Sequence, residues 1–249
     1  MRSTLRQLTG LSMATLMLSL LPSAAHAEIV IDRTRVIYPA QAREVTVNLT
    51  NEATSPRLVQ VWIDQGDAQI RPEDSDVPFT VNPPIRRMEA GKGLALRLLF
   101  NPLEGKSLPT DRESVFWLNV LAIRPKPQAN EASNALQFAF RTRIKVFLRP
   151  DTLRVPVKEA PDNLKWRRAE GTIAQVEVNN PSPYHVTLSS VAMTANGTEH
   201  STEDPPMLAP FTTLNVRLSG TPGPDHGKAQ LNFTTIDDNG NTQSHNASL

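Results

Sequence analysis

Hydrophobic and polar positions alternate at period two through much of this chain, and most extensively over residues 134–150, NALQFAFRTRIKVFLRP. Leu136, Phe138, Phe140, Thr142, Ile144 and Val146 share one face. Ala135, Gln137, Ala139, Arg141, Arg143, Lys145, Phe147 and Arg149 share the other. Successive side chains of a strand point to opposite sides of a sheet, so the pattern predicts a β-strand longer than the usual roughly 5–6 residues. A long strand with a bulky apolar row is an aggregation hazard at a sheet edge. Either the protein buries this strand in its own core, or it keeps the strand for another chain.

Further strands are predicted over residues 28–38 (EIVIDRTRVIY), 44–49 (EVTVNL), 57–63 (RLVQVWI), 94–100 (LALRLLF) and 114–123 (SVFWLNVLAI). In the first of these, Arg33 and Arg35 share the face of Ile29, Ile31 and Ile37. A cation there is costly unless a carboxylate or a partner answers it. The plainer reading is an edge charge that discourages aggregation. Trp62 is expected as a core anchor, and the nearly all-apolar 114–123 run as a strand buried on both faces. Acidic, proline-bearing residues 64–78 read as a surface loop, and Asn82-Pro83-Pro84 as a stiff turn where a cis X–Pro bond is open.

After Pro150 the pattern weakens, then restarts at 171–178 (GTIAQVEV), 185–192 (HVTLSSVA), 213–218 (TLNVRL) and 229–236 (AQLNFTTI). Residues 180–184 (NPSPY) form a strong turn signal, and the polar residues beyond Asp238 are expected to be loose. Without heptads or long helical periods, the chain is predicted to be all-β. About seven strands fall in a first sandwich over 28–150, and a smaller sandwich follows over 151–249.

Residues 1–27 stand apart. Arg2 and Arg6, an apolar run from Leu11 to Leu21, and Ala25-His26-Ala27 make the layout of a secretory signal peptide, with cleavage predicted after Ala27. The run is short for a membrane span, and no later stretch is apolar enough for stable membrane insertion. The exported remainder has no cysteine, so no disulfide can staple it. Of 26 Lys and Arg against 25 Asp and Glu, two arginines lie in the signal, leaving a formal charge of 24 against 25, or −1. That near-neutral balance argues against nucleic-acid binding.

Candidate chemistry is sparse. Lack of cysteine excludes a thiol nucleophile and a zinc–thiolate site. His185, His200, His226 and His245 show no HxH or HExxH spacing, and no GxSxG, GxGxxG or Walker pattern occurs. Asp237-Asp238-Asn239-Gly240 resembles part of a calcium loop without the remaining ligands, and reads as a plain turn. No metal, cofactor or enzymatic activity is predicted.

Five stretches nonetheless occur together and in order: IDRTRVIYP, NPPIRRMEAG, PTDRESVFWLN, LQFAFRTRIKVFLRP and NPSPYHVT. Through them the chain resembles the periplasmic pilus chaperones of the chaperone–usher pathway. The resemblance implies two immunoglobulin-like β-sandwich domains at an angle, with a cleft between them. It also implies roles. Arg35 and Lys145 would hold the C-terminal carboxylate of a pilus subunit. Leu136, Phe138 and Phe140 would complete the subunit's core as a donated strand. Glu113, Arg149 and Asp238 would form an interdomain salt bridge that fixes the domain angle. The implied partners are pilus subunits and an outer-membrane usher.

A short link at 124–133 and the missing cysteines fit the short-loop branch, which serves rod-like pili. To hide its apolar row, the free protein is expected to cap itself as a homodimer. Simple alternation puts Lys145 on the face opposite the row, so a bulge, a bend or the domain geometry has to reconcile one cargo site with that count. The alternative is an exported two-domain β-sandwich that binds carbohydrate or serves in adhesion. It calls for surface aromatics, yet the chain has 3 Trp and 2 Tyr, with Trp62 and Trp117 inside strand patterns.

Overall fold

The protein was described from a computed structural model. It covers residues 28–102, 104–105, 107–125, 138–169, 175–195, 197–219 and 229–249. Two β-sandwiches account for them. The first comprises β1 (Ile29–Ile31), β2 (Arg35–Pro39), β3 (Val45–Asn51), β4 (Arg57–Asp64), β5 (Phe79–Asn82), β6 (Ile85–Met88), β7 (Gly93–Phe100), β8 (Ser114–Ile123) and β9 (Phe140–Arg149). One sheet runs β1-β3-β7-β5 and the other β2-β9-β8-β4-β6. Alternate residues from both sheets meet between them, among them Val36, Val47, Val59, Leu96, Leu98, Phe116, Leu118 and Val146, all without solvent exposure.

Tyr38 ties the two sheets together. Its hydroxyl donates to the Ala42 carbonyl at 3.0 Å and accepts the Phe100 N–H at 3.0 Å. Phe79 meets its ring edge-on, with centroids 5.4 Å apart.

The expected first strand is two strands in different sheets. β1 pairs antiparallel with β3 and β2 pairs parallel with β9, so the chain crosses between sheets at residues 32–34. The crossing separates the two arginines. Arg33 turns outward onto the neighbouring Asp32 carboxylate at 2.8 Å, whereas Arg35 is buried.

Two further expectations fail for one reason: the five-stranded sheet has a core face and an outer face. Trp62 is buried but lies on the outer face, opposite Val61 and Ile63 in the core, with Arg141 over its ring at 5.8 Å. Likewise β8 sends Phe116, Leu118, Val120 and Ala122 into the core. Its other side carries Trp117, Asn119 and Leu121, of which only Asn119 is fully covered.

The Asn82–Pro83 bond is cis and sits in the turn between β5 and β6. Asp64 ends β4, and residues 65–78 form a loop holding one 3-10 turn, Pro72–Asp74.

The second sandwich comprises β10 (Lys165–Arg168), β11 (Gln175–Asn179), β12 (Val186–Ala195), β13 (Thr198–Ser201), β14 (Met207–Leu208), β15 (Thr213–Arg217), β16 (Gln230–Ile236) and β17 (Thr242–Ser248). Its sheets run β10-β11-β15 and β13-β12-β16-β17, with β14 also paired to β12. Val176, Val178, Val191, Met193, Leu208 and Leu231 fill a separate core. The polar tail is not loose. β17 pairs with β16 over its whole length, from Gln230↔Ser248 to Ile236↔Thr242. His245 stacks on Phe233 at 5.0 Å, and Ala247 packs against the core.

Candidate functional site

β9 carries most of what matters. On one edge it pairs antiparallel with β8 from Phe140↔Ala122 to Ser114↔Leu148, with no break in register. On the other edge β2 begins only at Arg35, opposite Lys145, and covers β9 from there to Arg149. Among the described residues, the main chain of β9 from Phe140 to Ile144 therefore has no strand neighbour on that edge.

The apolar row runs along this open edge. Val146 and Ile144 point into the core, and the same face continues to Phe140, 55% exposed, with Phe138 beyond it 57% exposed. Leu136 lies outside the described residues. Because the register is unbroken, no bulge brings Lys145 to that side; it lies on the outer face with Arg143 and Phe147. Phe138 and Phe140 thus lie near the open edge, whereas Lys145 lies on the opposite face of the sheet, over Trp117.

Arg35 and Lys145 are paired positions on parallel neighbours. Arg35 is buried, donates from Nη1 to the Ile236 carbonyl of the second sandwich at 2.9 Å, and leaves Nε without a partner. Lys145 holds its ammonium 5.5 Å from the centre of the Trp117 ring. Burial pulls both pKa values below their ordinary levels. The nearby guanidinium adds to the effect on Lys145, while Asp238, Asp237 and Glu113 oppose it at Arg35. Among the described residues neither cation makes an ion pair. Two half-desolvated positive groups on adjacent strands, one with a spare N–H, suit an incoming anion.

The second constellation joins the sandwiches. Arg149 donates from Nε to Glu113 at 2.7 Å, and from both Nη groups to the two Asp238 oxygens at 2.7 and 2.9 Å. Glu113 is buried and also accepts the backbone N–H of His185 at 2.9 Å. Burial alone would lower the Arg149 pKa, but the bonds to Asp238 and the charge of Glu113 outweigh it and hold it above the usual arginine value. Arg149 also lies over Tyr184, 5.1 Å from the ring centre. The structure thus brings Glu113, Arg149 and Asp238 together. A cavity of about 240 Å3 lies between the domains beside this network and Arg35.

Asp238 is presented by the hairpin turn between β16 and β17. There Asp237 accepts the N–H groups of Asn239 and Asn241 at 2.9 and 2.8 Å, so its carboxylate is satisfied within the turn. No group of three or more metal-capable side chains occurs among the described residues.

Several contacts at the site went unread in the sequence. Trp117 underlies Lys145 and, at 4.3 Å, Arg143, which in turn binds the buried Asp64. His185 packs on Phe147 at 5.5 Å. Arg112, next to Glu113, reaches the ring of Phe211 at 4.9 Å. Alternating parity along β8 could have placed Trp117 on the outer face, but nothing local names its cationic neighbours.

Comparison with known proteins agrees with this geometry. Residues 28–154 match the family described as pili and flagellar-assembly chaperone, PapD N-terminal domain, and residues 159–247 match pili assembly chaperone PapD, C-terminal domain. The chain is 41% identical over 246 residues to the chaperone protein FimB/FhaD of Bordetella pertussis, covering 98% of this chain and 97% of that one. It is 43% identical over 231 residues to YadV, a probable fimbrial chaperone of Escherichia coli K12, at 91% and 92% coverage. The YadV crystal structure aligns with a TM-score of 0.76 at 40% identity, covering 90% of this chain and all of that one. A structure of Salmonella enterica SafA pilin in complex with the SafB chaperone aligns at 0.72 with 26% identity, covering 91% and 98%.

The chain belongs to the pilus-assembly chaperones of the chaperone–usher pathway. Its all-β, two-domain sandwich fold is theirs, and a carbohydrate-binding or adhesion module is not favoured.

Proposed function

We propose that this protein caps pilus subunits in the periplasm by lending them the open edge of β9, then hands them to an outer-membrane usher. The observation that carries the reading is one strand with two features: an unpaired edge flanked by exposed phenylalanines, and, five residues on, partly buried Lys145 paired with buried Arg35 of the next strand, with no carboxylate bonded to either. A subunit strand laid along residues 140–144 gains main-chain hydrogen bonds, while Phe138 and Phe140, with Leu136 before them, enter its core. Fully burying a phenylalanine contributes about 1.5–3 kcal/mol; starting from half-covered rings, the two supply roughly 2–3 kcal/mol before ordering costs.

Arg35 and Lys145 bind the subunit's terminal carboxylate and so fix where the donated strand starts. Glu113, Arg149 and Asp238 hold the domain angle that keeps this cleft open. The mature chain begins after Ala27, with an N-terminal domain over 28–150 and a C-terminal domain over 151–249. The same exposed row lets two free copies cap one another. The relatives named as fimbrial chaperones and the pilin–chaperone complex support this reading.

Its test is periplasmic co-purification with a subunit encoded beside an usher gene. Arg35→Ala and Lys145→Ala should each abolish recovery of the complex. Recovery equal to the parent would overturn the cleft assignment.

A further inference from the structure

The carboxylate site adjoins a cavity whose walls come mostly from the second domain. Phe147 of β9 forms one side, and Ile236, Val157, Ala160, Pro161 and Val186 the others. At about 240 Å3 it is smaller than the roughly 300–1,000 Å3 of pockets that hold whole small molecules, and so matches a single side chain better. Arg35 stands in its wall, tied by Nη1 to the Ile236 carbonyl and 5.9 Å from the centre of the Phe147 ring, with Nε buried and unpartnered. Lys145 does not line the cavity. It shares the face of Phe147, about 6.6 Å away along the strand.

From this arrangement, and resting on the carboxylate reading above, we infer that the cavity receives the side chain of the subunit's last residue. A carboxylate held between Lys145 and the free Nε of Arg35 sets its own Cα at the cavity mouth. The side chain on that Cα then drops between Phe147 and the second domain. Most of the lining surface is apolar, and its charged groups are Arg35, Lys158, Asp237 and the paired Glu113, Arg149 and Asp238, so the site selects subunits ending in a bulky apolar or aromatic residue over those ending in glycine. It also gives the second domain a direct part in choosing cargo, since five of the six apolar walls belong to it.

The experiment is calorimetric titration of the full mature protein with three synthetic ten-residue peptides of alternating serine and valine. One ends in phenylalanine with a free carboxylate, one in glycine with a free carboxylate, and one in phenylalanine amide. The phenylalanine acid should bind at least tenfold tighter than the glycine acid. Val157→Trp, which fills the rim from a partly exposed position, should erase that preference and leave the glycine peptide unchanged. Val157→Ala should keep the preference and extend it to a tryptophan-ended peptide, which serves if the larger substitution fails to fold. Equal affinity for the phenylalanine and glycine acids overturns the pocket. An amide that binds as well as the acid overturns the carboxylate reading instead, leaving the phenylalanine–glycine comparison to judge the pocket.

Discussion

Arg35 and Lys145 stand directly opposite one another on the parallel strands β2 and β9, and neither meets a carboxylate. Within the free protein this pairing is a cost, because burial and mutual repulsion both disfavour the charged lysine. The sign of its pH dependence follows. The folded-state pKa of Lys145 lies below the unfolded value of 10.5, so between the two the unfolded chain binds more protons and stability rises with pH. Urea unfolding from neutral pH toward 10.5 should show this rise, and Lys145→Met should flatten it. The same variant should unfold at equal or higher urea than the parent while losing subunit affinity by about 2–5 kcal/mol, the cost of removing one partner of a buried charge pair.

Phe138 and Phe140 are exposed, and their contribution to the folded monomer is correspondingly small. Phe140→Asp should change unfolding stability by no more than about 0.5 kcal/mol. It should, however, abolish subunit capture, since a charge in the subunit's core goes unanswered. If free copies cap each other through this row, small-angle scattering of the parent at high concentration should report a dimer and the variant a monomer. A parent that stays monomeric throughout would remove the self-capping idea without touching cargo binding.

Strands that put one apolar row into a core were legible from alternation, and residues 114–123 form β8 from end to end. β17 was not, because Thr242–Ser248 offers polar side chains on both faces and is held chiefly by its ladder to β16. The crossing at residues 32–34 was invisible for a different reason: the odd-numbered apolar row runs on to Ile37, although the core-facing positions shift from Ile29 and Ile31 to Val36 and Tyr38 as the strand changes sheets. At the site, parity placed Lys145 opposite the apolar row, and the unbroken β8–β9 register keeps it there. What alternation cannot supply is the partner across a sheet or a domain boundary. The Trp117–Lys145, Glu113–His185 and Arg112–Phe211 contacts are of that kind.

Glu113 is the most exposed to loss of a partner, although it is itself buried. Its carboxylate depends on Arg149 and on the His185 N–H. Arg149→Ala strands that charge and should cost about 3–5 kcal/mol. Asp238 keeps about a third of its side chain in solvent, so Asp238→Ala should cost only about 1 kcal/mol. Denaturant melts of the two variants should preserve this order; equal losses would mean that Arg149 acts chiefly through Asp238.

The turn that carries Asp238 closes on Gly240, and this glycine is fixed by two independent demands. Its φ is +88°, where a side chain is strained, and a Cβ there would fall 2.5 Å from the Thr34 hydroxyl of the first sandwich. The next nearest atoms, Thr34 Cβ and Cγ2, stand at ordinary contact distances of 3.7 and 3.8 Å, so only the hydroxyl collides. Gly240→Ala should therefore lose at least about 1 kcal/mol from backbone strain, plus a further loss from the clash. Adding Thr34→Ala removes the colliding atom and should restore the second part alone. A double-mutant cycle read from denaturant melts would measure that coupling. No recovery in the double variant would show that the turn does not press on the first domain, and that Gly240 serves the hairpin only.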